Sequence, residues 1–173
     1  IAEALGDREL ISQSQYRLGW HHASSGSSGD GDLALDLLSK SRAGAVTVGN
    51  IDLAADCDEK AAFVFQDLKD WNSAATFYER AIVLFESVGN INRSLLVKAN
   101  YGSMLRSAGR FDEAKDTFEE VLDEAEELGY QRTVRGVVTF LGRILADLNM
   151  CGAALKLMDQ YEEYFLEYPS LDE

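Results

Sequence analysis

The chain repeats itself every forty residues, and that period limits its fold more than any single motif. Ala34, Ala74, Ala114 and Ala154 stand forty residues apart, and four residues beyond each lie Leu38, Tyr78, Phe118 and Met158. Small and large apolar residues thus recur in phase. Further along the same frame come Ala45, Phe85, Ala125 and Phe165, then Val48, Val88, Leu128 and Tyr168, followed at once by Gly49, Gly89, Gly129 and Pro169. These last positions read as helix stops, because glycine takes up the left-handed closing conformation without strain and proline cannot continue a helix. A period of this kind marks a repeat architecture, in which each unit buries its apolar face on its neighbours.

Each unit holds two amphipathic stretches. In WNSAATFYERAIVLFESVG, the residues Trp71, Ala74, Ala75, Tyr78, Ala81, Ile82, Phe85 and Val88 fall at intervals of three and four, the stripe of a helix facing a core. The stretches DEKAAFVFQDLKD, VKANYGSMLRSAG and VTFLGRILADLN read as shorter first helices, with Ala62, Gly102 and Gly142 aligned where helices approach closely. The single proline, Pro169, removes the main obstacle to helix elsewhere and argues against a many-turned β architecture. The expected fold is all-α, a right-handed solenoid of about four helix-turn-helix pairs.

Composition narrows the function. With 173 residues, 46% of them hydrophobic, the chain can form one domain with a real core. Sixteen basic against thirty acidic residues give a net charge of −14, which repels phosphate backbones and anionic lipid, so neither nucleic acid nor membrane is an expected partner. No apolar run reaches the length of a membrane span, and no signal segment opens the chain. Cys57 and Cys151 have neither CxxC spacing nor a companion histidine, which suggests no zinc site or disulfide framework and a reducing, cytoplasmic setting.

The residues resemble the tetratricopeptide repeat. The third unit, NYGSMLRSAGRFDEAKDTFEEVL, places Gly102, Leu105, Gly109, Phe111, Ala114 and Phe118 in the slots of that family's signature. The second unit departs at Ala62 and Lys69, the fourth keeps LGRIL but has Asn149 and Cys151 in its turn, and the first carries RLGW. The forty-residue period is similar to the long repeats of the LGN/Pins scaffolds, kinesin light chain and bacterial regulator arrays. On this frame residues 1–6 read as the end of a preceding repeat helix, so the sequence is expected to be a fragment of a longer array or of a multidomain protein. Repeats then cover 7–49, 50–89, 90–129 and 130–168, and a short tail covers 169–173. HHASSGSSGDGD interrupts the first unit with three extra residues between Gly19 and Ala34, an enlarged turn at 24–31.

The resemblance implies that first helices line a concave surface and that a protein or peptide lies along it. Its groove slots fall on Gln13, Tyr16, Arg17 and Trp20, on Glu59 and Phe63, on Asn100, Ser103 and Arg106, and on Arg143. Aromatic and arginine side chains dominate binding energy at many interfaces, and guanidinium clasps carboxylate in two parallel hydrogen bonds. An acidic peptide with one or two apolar anchors would suit such a surface. Self-association through exposed end helices is a further expectation. The acidic run DEAKDTFEEVLDEAEE reads as a solvated face.

No catalytic constellation, cofactor or metal site is read. His21 and His22 are adjacent and so diverge by about 100° on a helix, GSSGDGD lacks the ending of a phosphate loop, and no nucleophile has a paired base. The expected function is a non-catalytic interaction scaffold. The alternative is a regulatory sensor, in which the array binds a signalling peptide or small ligand and controls an attached effector domain.

Overall fold

The computed structural model describes residues 2–24 and 30–166. Among them the chain forms nine helices and no strand: α1 (Ala2–Ser24), α2 (Asp30–Val48), α3 (Ile51–Asp67), α4 (Trp71–Ser87), α5 (Ile91–Ser107), α6 (Phe111–Glu127), α7 (Gln131–Asp147), α8 (Cys151–Gln160) and α9 (Glu162–Leu166). The expected all-α chain of helix-turn-helix pairs is what folds. Two compact units divide it, Ile1–Val97 and Lys98–Glu173, with the boundary inside α5.

Helices α3 to α7 are each 17 residues long, with three-residue turns between them, so two helices and two turns fill the period. In the pairs α3/α4 and α5/α6 the first helix is therefore as long as the second, contrary to the sequence expectation. Helices α3, α5 and α7 each begin two residues past the preceding glycine stop. Asn50 caps α3 by accepting the Leu53 N–H at 3.0 Å, and Asn90 accepts the Arg93 N–H at 3.4 Å at the start of α5. The stretch ahead of each small-residue position is thereby already helical.

The turns share one geometry. Gly109 has φ of 77°, and the corresponding Lys69 and Asn149 take 59° and 58°, although a side chain costs about 1–2 kcal/mol in that region. A hydrogen bond that closes back over the helix end holds each turn: Arg110 N to Leu105 O at 2.9 Å, Asp70 N to Phe65 O at 2.9 Å and Met150 N to Leu145 O at 2.7 Å. Gly6, by contrast, closes nothing. It lies inside α1 without a positive φ, so the expected helix end at 1–6 is replaced by a continuous helix. Glycine permits the left-handed turn, whereas the closing bond and the next cap enforce it.

In unit 1, Ala34, Leu38, Ala45, Ala74, Tyr78, Ala81 and Phe85 are buried, as their frame positions require. Helices α1 and α2 meet closely at Gly19, where an added Cβ would lie 3.0 Å from Leu38 Cγ and 3.2 Å from Ala34 O. A polar ladder crosses the same region: the Cys57 thiol donates to Ser41 Oγ at 3.2 Å, and Ser41 Oγ donates to Ser12 O at 2.7 Å. Burial pushes this thiol up to about 11. Val88, expected in the core stripe, is 44% exposed because it caps α4 where the backbone turns away. The enlarged turn at 24–31 lies mostly outside the described residues. On its flanks His22 Nδ1 stands 3.4 Å from Asp30 Oδ1.

In unit 2, Ala114, Phe118, Val121 and Ala125 of α6 pack with Val134, Val137, Val138, Leu141, Ile144 and Leu145 of α7. The acidic run along α6 is largely exposed, the solvated face expected. The second helix of the last pair does not run through. It breaks between α8 and α9 at Tyr161, whose buried ring sends its hydroxyl to Glu126 of α6. The tail at 169–173 is outside the described residues.

The two small residues of unit 2 differ in what surrounds them. A Cβ at Gly102 would lie 3.0 Å from Phe118 Cε2, and Phe118 is pinned by stacking on Phe140 at 5.5 Å and 9°. A Cβ at Gly142 would meet only Met158 Sδ, at 3.8 Å. Gly102→Ala should therefore destabilise by about 1–2 kcal/mol, whereas Gly142→Ala should be neutral or stabilise by up to about 1 kcal/mol through helix propensity. Urea unfolding of the two variants checks this, and equal effects would contradict the packing described.

Candidate functional site

The expected groove residues of unit 1 sit on α1 and α3, which pack against each other. Trp20 of α1 meets Phe63 of α3 with ring centres 6.0 Å apart, and Phe63 turns its edge to Tyr78 of α4 at 5.8 Å. Lys60 Nζ stands 4.7 Å from the Trp20 ring centre and 5.1 Å from that of Phe63, so one ammonium covers both faces. The same nitrogen bonds Glu59 Oε2 at 3.1 Å. Trp20 remains 38% exposed, which leaves an aromatic surface with a cation set into it.

Behind the rings lies a charge network that the sequence did not disclose. Glu59 is 2% exposed and also accepts from Arg93 Nη2 at 2.8 Å. Arg93 reaches Asp56 as well and lies over the Phe85 ring at 4.9 Å. Burial pushes the Asp56 carboxyl up, against the pull of Arg93. Tyr16 packs on the cluster of Ala45, Leu53, Ala54 and Cys57. Its phenol is raised well above the usual range, first by burial and then by Asp56 and Glu59, so it acts as a neutral hydroxyl. Gln13 donates to Glu9 Oε1 at 3.4 Å, and Arg17 is exposed.

Asp58, one residue along, faces the other way. It is 1% exposed and is clamped between the second helices on either side, accepting from Arg42 Nε of α2 and from Arg80 Nη2 of α4, each at 2.9 Å. Arg80 also lies over Phe77 at 4.6 Å. The one signal in the sequence is a run of carboxylates inside an apolar, alanine-rich helix, since buried charge demands partners.

Unit 2 holds the remaining expected residues. Asn100 and Ser103 of α5 are half-buried, and Arg106 Nε bonds Asp147 Oδ2 of α7 at 2.7 Å. Arg106 is thus held by a carboxylate that the sequence reading missed. Arg143 is exposed on α7 and engages no carboxylate among the described residues. The structure therefore brings Trp20 and Phe63 to one partly exposed aromatic face of unit 1, with Glu59 buried and Tyr16 packed on the cluster of Ala45, Leu53, Ala54 and Cys57. The expected pairing of two available arginines in unit 2 resolves into one committed and one exposed. Among the described residues no cluster of histidine, cysteine or carboxylate could hold a metal, and no helix is long and apolar enough to cross a membrane.

Repeated helix pairs with a common turn geometry define a class, and residues 53–127 match the tetratricopeptide repeat family. Over that stretch, less than half of its length, the chain is similar to the tetratricopeptide repeat, and its fold is a helical repeat. No curated protein matches it by sequence. Among solved structures it is similar to aspartyl phosphate phosphatase F from Bacillus subtilis, with a TM-score of 0.85 and 13% identity over 95% of this chain and 42% of that one. It is also similar to a Rap protein solved in complex with competence and sporulation factor, with a TM-score of 0.76 and 15% identity over 98% of this chain and 46% of that one. A putative kinesin light chain from Podosopora anserina with TPR-like repeats gives 0.71 and 14%, over 90% of this chain and 75% of that one. The chain spans less than half the length of the first two, and at these identities the likeness is one of fold.

The Asp58 clamp gives a stability prediction. Arg42→Ala combined with Arg80→Ala leaves a buried carboxylate without a partner and should cost about 3–5 kcal/mol. Asp58→Asn should cost less, because both guanidinium side chains are about a third exposed, 34% and 40%, and can turn to water. Burial raises the Asp58 carboxyl above its unfolded value, so the loss in the double variant should shrink as pH falls through that raised value and the carboxyl takes up a proton. Denaturant titrations at neutral and mildly acidic pH test both points. A larger loss for Asp58→Asn than for the double variant would contradict the clamp.

Proposed function

We propose that the chain is a non-catalytic interaction scaffold that binds a protein or peptide segment along the exposed faces of its first helices. The observation that carries this reading is the apposition of Trp20, Phe63 and Lys60, a partly exposed aromatic surface built from two first helices and backed by buried charge. Large rings held rigid lose little entropy on binding, and the set offers both an apolar seat and a cation. The tetratricopeptide fold supports the same reading. Gln13, Tyr16 and Arg17 flank the rings in unit 1, while Asn100, Ser103, Arg106 and Arg143 are the corresponding positions in unit 2. In this reading Arg106 acts through its pair with Asp147, and Arg143 meets the ligand directly.

A second reading, a sensor array that answers to a signalling peptide and controls an attached effector, draws support from the Rap protein solved with competence and sporulation factor. Both readings require a ligand on the first helices. They differ in whether ligand binding changes the array's conformation.

Selection from a displayed peptide library against the whole chain tests the shared claim. Selected peptides should bind the wild-type chain, and Trp20→Ala and Phe63→Ala should each weaken them by at least about tenfold, as truncation of a buried aromatic anchor does. Circular dichroism would confirm that both variants fold. Failure to select any peptide, or unchanged affinity in both folded variants, would contradict the proposal.

A further inference from the structure

Lys60 keeps only 16% of its side chain exposed, although a lysine ordinarily holds its charged end in water. Its Nζ lies 4.7 Å from the Trp20 ring centre, 5.1 Å from that of Phe63 and 3.1 Å from Glu59 Oε2. Two ring faces and a carboxylate converging on one point are the elements that enclose an ammonium ligand. In unit 1 that point is filled by the chain's own lysine.

The walls of this seat are held from behind. Phe63 packs on Tyr78, which has no exposed surface and donates its hydroxyl to Gln66 Oε1 at 3.1 Å. Glu59 is fixed by Arg93, whose Nη2 donates to it at 2.8 Å. Trp20, 38% exposed, forms the open side. Lys60 is the movable part, because a flexible four-carbon stem lets its ammonium swing into water while α3 stays in place.

We infer that this seat takes a basic side chain from a bound protein segment, and that Lys60 is its resident occupant, displaced when the segment binds. The inference rests on the scaffold reading above and adds the chemistry of the ligand and a built-in competitor for it.

Charge selects the occupant. With Lys60 in place, Asp56 and Glu59 are balanced by Arg93 and Lys60. Once Lys60 swings out, two carboxylates face one guanidinium, and an incoming cation restores the balance. An acidic side chain would instead meet both carboxylates and the negative faces of the rings. An apolar one that displaced Lys60 would take a partner from Glu59, a carboxylate only 2% exposed. At longer range the net charge of −14 draws basic segments in and repels acidic ones and second copies of the chain.

Anisotropy with the whole chain and fluorescein-labelled Gly/Ser peptides tests this, with lysine, norleucine or glutamate at one position between two leucines. The lysine peptide should bind at least about tenfold more tightly than the other two, the scale of a charge-assisted contact. Lys60→Ala should tighten the lysine peptide by about tenfold, as expected if Lys60 fills the seat about nine-tenths of the time. A site that used Lys60 to recognise an anion would respond with the opposite sign. Lys60→Gln, which keeps most of the stem without the charge, should act in the same direction if the alanine variant does not fold. Trp20→Leu should weaken the lysine peptide by about tenfold and Trp20→Phe by less, because only Phe preserves a ring face. Preference for glutamate or norleucine, or unchanged or weaker lysine-peptide binding in both folded Lys60 variants, would overturn the inference. If display-selected peptides bind through Trp20 while the lysine peptide does not bind, the cation seat falls and the scaffold reading stands. A molar mass by light scattering that rises with concentration in the Lys60 variants alone would give the seat to a second copy and overturn the assignment to a partner segment.

Discussion

The contact of a small residue on a first helix with a large side chain on its partner sets the remaining geometry. At Gly19 against Leu38, and at Gly102 against Phe118, an added Cβ would approach to 3.0 Å. The partner side chain fills the notch, and the two backbones come close along a narrow line. That line uses only one edge of the first helix. Trp20, the residue after Gly19 and so turned about 100° from it on the helix, is 38% exposed, and Arg143 stands in the same relation to Gly142 on α7. The same contact that makes each pair compact thus leaves the surface available to a ligand.

Much of this was legible in the sequence because it is periodic and local. The alanines at forty-residue intervals, the large residues four positions later and the glycine stops are all set by backbone sterics and by a single neighbour. Ala34, Ala74 and Ala114 accordingly have no exposed surface. The last unit is where this weakens: Met158 is 41% exposed and the helix breaks at Tyr161. The turn does not require glycine, because Lys69 and Asn149 adopt the turn that glycine adopts at 109. A closing hydrogen bond outweighs a modest steric cost. Gly6 shows the converse, a glycine without that bond and therefore without a turn.

The charged side chains were not legible. Asp58 finds Arg42 and Arg80 at sequence separations of 16 and 22, and Arg106 finds Asp147 at 41. No period announces these pairs, which depend on side chains from three helices converging. The outcome changes the candidate site. Positions read as a set of similar ligands separate into anchors, such as Trp20 and Phe63; supports, such as Glu59 and Arg93; and one arginine, Arg106, that is already paired. Lys60 enters from outside the expected slots altogether. Burial decides the division: Glu59 at 2% exposure cannot meet a ligand, whereas Trp20 at 38% can.

A chain with a large negative charge and with Arg42, Arg80, Arg93, Arg106 and Arg110 bonded to carboxylates presents few cations to a partner, so in the proposed reading recognition comes from placement on the first helices. Amide chemical-shift mapping with a saturating, display-selected peptide measures that placement directly. The account predicts perturbed amides concentrated on α1, α3, α5 and α7, with α2, α4 and α6 little changed. Perturbations concentrated on the second helices would contradict it.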